Sequence, residues 1–195
     1  AFAYTGLTSV SFPDSVTEIG TAAFSNCYYL TDVKLPSTLK VIRPDVFSRS
    51  AIETIDIPES VTELNSGAFA FCNNLKSIVL PAGLTDIRKQ AFYSCVALES
   101  VKLPDALTTI TDHLFYGCTS LKSIEFPPSL TKICDYSFYG SGLENVSIPD
   151  SVTSIGISSF SHCENLKTLD LGDGITSLGK WVFNSCTSLT DVDLG

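Results

Sequence analysis

The sequence predicts a repeat solenoid, a right-handed superhelix with one parallel β-sheet and short helical or 3-10 turns on the opposite wall. Three observations predict it. An aliphatic residue recurs at Leu7, Leu30, Ile52, Leu75, Leu98, Leu121, Leu143, Leu166 and Leu189, with every gap 22 or 23 residues. Phe fills one column of every unit, at Phe2, Phe24, Phe47, Phe69, Phe92, Phe115, Phe138, Phe160 and Phe183. A Pro closes the first segment of seven units, from Pro13 and Pro36 to Pro149. Self-similarity at a period of about 20–50 residues is the signature of stacked units, none of which buries its apolar face alone.

Each element of the unit has a physical reason. Three residues after the recurring aliphatic stands another, as at Val10, Val33, Ile55 and Ile78, and two further on a third, such as Leu35, Ile57 or Leu103. This L-x-x-V-x-L pattern is a strand with one face turned inward. The Pro that follows has no N–H for coil-to-coil pairing and ends the strand. In the last two units Gly172 and Gly195 take its place. A second aliphatic pair comes next, such as Leu39 and Ile42 or Leu84 and Ile87, and then the Phe column as a stacked core position. Stacked at about 4.8 Å, nine strands would span roughly 38 Å of sheet. One solenoid over residues 1–195 is expected, nine strand units long and cut within a unit at both ends without caps, since Ala1-Phe2 matches Ala23-Phe24.

The combined pattern L-x-x-V-x-L-P-x-x-L-T-x-I-x-x-x-A-F-x-x-C resembles the BspA-like class of leucine-rich repeats from end to end. The better-known leucine-rich repeats carry a ladder asparagine where this chain has Val16, Leu39, Val61 or Leu84, so no such ladder is expected. The resemblance implies a part of a large cell-surface or secreted microbial protein, adhesin-like in holding a host or extracellular-matrix protein.

Composition narrows the partners. Twelve basic against twenty-one acidic residues give a net charge of -9, the wrong sign for tracking phosphates, so nucleic acid is not an expected partner. No apolar run reaches the roughly 20 residues of a membrane span, and no signal peptide opens the segment. Seven cysteines occur without a CxxC pair, which removes the usual zinc signal. Asp170, Asp173, Asp191 and Asp193 gather near the end of the chain, but four carboxylates without a loop template specify no calcium site. Neither a metal nor any other cofactor is expected.

Six cysteines, Cys27, Cys72, Cys95, Cys118, Cys163 and Cys186, stand three residues after the column Phe, and three shortened turns carry Thr5, Ser50 and Ser141 there instead. The column reads as buried, reduced thiols, with the hydroxyls bonding backbone polar groups in the tighter turns. Cys134 falls outside the column and is expected to be the one exposed thiol. His113 and His162 lie in different columns and units, so no nucleophile and base are coupled and no enzyme is expected.

Residues two and four after the strand-start aliphatic should face solvent, among them Asp32, Lys34, Asp56 and Lys102. The residue after the column Phe is small in most units but is Tyr93, Tyr116 and Tyr139 in three consecutive ones. Tyr offers rigid contact area with a polar tip. These seven residues are the candidate binding residues of a protein-binding or glycan-binding module, the alternative being a structural spacer for a functional domain elsewhere. Asn145-Val146-Ser147 also forms a glycosylation sequon.

Overall fold

The computed structural model describes residues 1–194. Gly195, which the pattern places after the ninth strand, lies outside the described residues. The chain winds as a parallel-strand solenoid of about eight turns, and no helix forms among the described residues.

The L-x-x-V-x-L segments make a first row of strands. Ser9–Ser11 pairs with Asp32–Lys34, Ser77–Val79 with Ser100–Lys102, and Asn145–Ser147 with Thr168–Asp170 and then Asp191–Asp193, all parallel and in register. The expected single sheet is interrupted, because the segments 54–56 and 123–125 form no ladder. Each borders a step of 22 residues, Leu30 to Ile52 and Leu121 to Leu143, so the interruptions fall where one unit is a residue short.

The second aliphatic pair of the unit makes a further row that the expectation of one sheet omits. Val41–Ile42, Glu63–Leu64 and Asp86–Ile87 form one parallel ladder, and Thr109–Ile110, Lys132–Ile133, Ser154–Ile155 and Ser177–Leu178 another. Where the first row opens, around 54–56 and 123–125, the second is closed. Between these rows the proline carbonyl accepts from the amide three residues on, as in Leu39 N–H to Pro36 and Leu84 N–H to Pro81. The Pro column thus opens the turn that carries the chain round the first corner.

The third wall replaces the expected helical turns with a hydrogen-bonded ladder. The amide of Phe24 donates to Val46, that of Phe69 to Ala91 and that of Phe92 to Leu114, each across one coil. A helix is precluded because the residues two before and two after the Phe are left-handed, as at Ala22 (φ 51) and Asn26 (φ 59), or Gln90 (φ 62) and Ser94 (φ 53). A left-handed conformation costs a non-glycine residue about 1–2 kcal/mol, and the coil-to-coil bonds it permits offset that cost.

Inside these walls the Phe rings form one offset stack with centroids 5.1 to 5.9 Å apart. Phe24 through Phe160 are buried in an aliphatic core that includes Leu39, Val61 and Leu84, the positions of the missing asparagine ladder.

The cysteine column is a second internal ladder. Each thiol donates to the Phe carbonyl of the preceding coil, Cys72 to Phe47, Cys95 to Phe69 and Cys118 to Phe92, at 3.1 to 3.2 Å. The same carbonyl accepts the amide of its own coil's cysteine, as Phe92 does from Cys95. The shortened turns partly depart from expectation. Thr5 does donate to the backbone carbonyl of Phe2, and all three hydroxyls meet the next coil's thiol, Thr5 that of Cys27 at 3.5 Å, Ser50 that of Cys72 at 3.4 Å and Ser141 that of Cys163 at 3.3 Å. All seven cysteines are free.

Candidate aromatic binding strip

Tyr93, Tyr116 and Tyr139 stack on the outside of the turn wall. Their ring centroids lie 4.7 and 4.8 Å apart, with planes 6° and 5° from parallel. The small neighbours Ser94, Gly117 and Gly140 leave room for them. In the flanking units this arrangement reverses. The residue after the Phe is small (Ser48, Ala70, Ser161) and the next one is large (Arg49, Phe71, His162). One large side chain per coil therefore continues the row in both directions.

The strip is longer than the three tyrosines that the sequence singles out. Phe71 meets Tyr93 at 5.2 Å and 59°, and the Arg49 guanidinium covers the far side of Phe71 at 4.1 Å from its centroid. At the other end His162 meets Tyr139 at 5.0 Å and 45°. A second file runs alongside, with His113 stacked on Tyr136 at 5.1 Å and in contact with Tyr93 and Tyr116. Phe71, His113, Tyr136 and His162 sit in the left-handed columns flanking the Phe. The sequence signal for Phe71 and His162 was this reciprocity of large and small residues between adjacent columns, and reading one column at a time misses it.

Interior rings of the stack have covered faces and half-exposed edges. Burial within the stack raises the pKa of the Tyr116 phenol, with the neighbouring Tyr93, Tyr139 and Tyr136 adding to the shift. What the strip can do chemically is present a flat, rigid row of aromatic edges and hydroxyls. Such a surface favours contact over reaction.

The other candidates lie apart from the strip. Asp32 and Lys34 flank Val33 on the first row and are exposed; Asp56 and Lys102 are exposed on the same wall, Asp56 in the interrupted segment. None of the four contacts the tyrosines. Cys134, the expected exposed thiol, is half-buried at the end of the second row, and Cys186 is likewise half-buried. Burial raises the Cys134 pKa; Lys132 opposes this, whereas Asp112 and Asp135 add to it. Among the described residues no group of three potential metal ligands converges, and no helix is long and apolar enough to cross a membrane.

The family model for the BspA type leucine rich repeat region matches residues 1–122 and 85–195. A leucine-rich repeat protein of Bacteroides ovatus is 33% identical over 95% of this chain and 55% of its own, with a TM-score of 0.77. A T. pallidum leucine-rich repeat protein is 28% identical over 82% of this chain and 64% of its own, with a TM-score of 0.55. A leucine-rich cell surface protein of Faecalibacterium prausnitzii shares the fold at 21% identity and a TM-score of 0.53, over 96% of this chain and 59% of its own. The chain thus spans between 55% and 64% of the length of these solved relatives. No curated protein matches it by sequence.

Proposed function

We infer function from the premise that the chain belongs to the BspA-type leucine-rich repeat family, and propose that it is a protein-binding module of a cell-surface or secreted protein, adhesin-like in gripping a host or matrix protein. The observation that carries this reading is the aromatic strip. Repetition makes most columns uniform, and the fold needs no outer aromatics, since units with Ser48 or Ser161 in the tyrosine column stack equally well. Interface energy concentrates in rigid aromatic residues. The cell-surface setting is supported by the name of the Faecalibacterium prausnitzii protein.

The test is surface plasmon resonance against a panel of immobilised extracellular-matrix proteins. Replacing Tyr93, Tyr116 and Tyr139 together by Ser should weaken the bound partner by about 2 kcal/mol or more while leaving the fold intact. Loss of affinity only on mutating Asp32, Lys34, Asp56 and Lys102 would move the site to the first strand row. Binding indifferent to both sets, or no binding, would favour a structural spacer.

A further inference from the structure

Two of the shortened turns leave notches in the turn wall, one at each end of the aromatic strip. At Arg49-Ser50-Ala51 and at Gly140-Ser141-Gly142 the coil has one residue, where its neighbours have two, between the cysteine-column position and the next strand start. The flanking coils keep the full pair, which begins with Tyr28 and Asn73 around the first turn and Thr119 and Glu164 around the second. A missing residue between two full-length turns is a gap. The notch at Ser50 is a cavity of about 180 Å³ lined by Tyr28, Arg49, Phe71, Asn73 and Asn74. The notch at Ser141 is about 350 Å³, lined by Thr119, Tyr139, Gly142, His162, Glu164 and Asn165.

The ring stack changes character at these places. Between the tyrosines the planes are 5° to 6° from parallel and every face is covered, whereas at the ends the angles open to 59° and 45°. Each notch also holds an adjacent pair of polar side chains on its far rim, Asn73-Asn74 and Glu164-Asn165, all exposed and making no hydrogen bond within the described residues. An amide supplies donors and an acceptor, and a carboxylate accepts at both oxygens. Apart from Ala51, neither notch has an aliphatic lining residue.

We propose that the notch at Ser141, with the smaller one at Ser50 as its counterpart, is a subsite for a neutral sugar ring of an oligosaccharide. A pyranose has what this lining matches, an apolar C–H patch for the exposed edge of Tyr139 and the tilted ring of His162, and neighbouring hydroxyls for Glu164 and Asn165. The volume at Ser141 is at the low end for small-ligand sites, the size of one ring with its neighbour in solvent. Only mild charge lines either notch, one Arg in the smaller and one Glu in the larger. This deepens the binding-module reading and rests on it, but its probe and the residues substituted to test it are different, so failure of one is distinguishable from failure of the other.

Saturation-transfer NMR with cellotetraose, mannotetraose, xylotetraose, chitotetraose and lacto-N-tetraose, followed by titration calorimetry of the best ligand, tests the proposal. At least one should bind with sub-millimolar affinity. Glu164→Ala with Asn165→Ala should weaken it at least tenfold, Asn73→Ala with Asn74→Ala should weaken it less, and Lys40→Ala, remote from both notches, should leave it unchanged. All are exposed positions, and unaltered thermal melts would exclude misfolding as the cause. A mucin-type glycoprotein, before and after enzymatic deglycosylation, distinguishes protein-borne sugar from free polysaccharide. No saturation transfer from any tetrasaccharide, binding indifferent to Glu164 and Asn165, or selection of an extended peptide dependent on those residues would overturn the proposal.

Discussion

The thiol of Cys118 donates to the carbonyl oxygen of Phe92, one coil earlier, at 3.2 Å. This contact ties two internal columns together and takes the thiol away from solvent. Cys27, Cys72, Cys95, Cys118 and Cys163 are buried, whereas Cys134 and Cys186 are half-buried. Thiol labelling of the native protein followed by mass spectrometry should modify those two and leave five protected until denaturant is added. Both should react slowly at neutral pH, because burial raises each pKa. Rapid labelling of Cys95 or Cys118 would contradict the burial.

Burial pushes Cys72 from 9.0 up to about 11, Cys118 and Cys163 up to about 12, and Cys95 well above 9.0. A raised thiol pKa means that the folded state holds its proton when the unfolded chain has released it. Stability from these groups is therefore complete below about pH 9 and falls as pH rises toward 11 to 12, by at most about 1.4 kcal/mol per thiol per pH unit. Urea unfolding at pH 8 to 10.5 should show this decline, less steeply in Cys118→Ala. Equal slopes in the two proteins would count against it.

Removing Phe92 or Phe115 to Ala should cost about 3–5 kcal/mol, since each ring is buried between two others. Ser100→Ala and Lys102→Ala, on the solvent side of the first row, should stay within about 0.5 kcal/mol. Equilibrium denaturation with equal costs for both sets would reverse the assignment of faces.

Ser137 and Ser159 precede the column Phe where other coils have Ala23, Ala68 or Ala91, and their buried hydroxyls have no hydrogen-bond partner in the structure. Ser137→Ala or Ser159→Ala should therefore stabilise the protein by about 1 kcal/mol, the cost of an unsatisfied buried hydroxyl. A loss of more than about 1 kcal/mol in denaturant would reveal a partner for the hydroxyl, such as a bound water.

The strand starts, the Phe stack and the cysteine column were legible because each is an apolar residue type repeated at one spacing. The second row was less so, since Thr109–Ile110 or Ser154–Ile155 is too short to show a period of two. The turn wall was misread for a different reason. Left-handed backbone is normally signalled by Gly, but here Ala22, Gln90 and Tyr136 adopt it under the demand of neighbouring coils. Of the candidate site, the Tyr column stood out as an anomaly, while Phe71 and His162 joined it only through a contact between columns. Asp56 shows the converse limit, for its exposure was readable but the broken ladder around it was not.

The interruptions of the first row at 54–56 and 123–125 bear on how the molecule carries load. Between most neighbouring coils only one of the two strand rows is closed, in addition to the ladder of the Phe wall. Tension along the solenoid axis is shared between two strand rows that alternate and the turn wall, whose ladder runs unbroken from Phe2 to Phe160. Pulled from its termini, the chain should peel one coil at a time, releasing 22 or 23 residues per event, about 80 Å of contour at about 3.5 Å per residue. A solenoid built this way absorbs shear in small instalments, as a rip-stitched strap does, and the coils of the aromatic strip, lying in the interior of the stack, should be the last to let go.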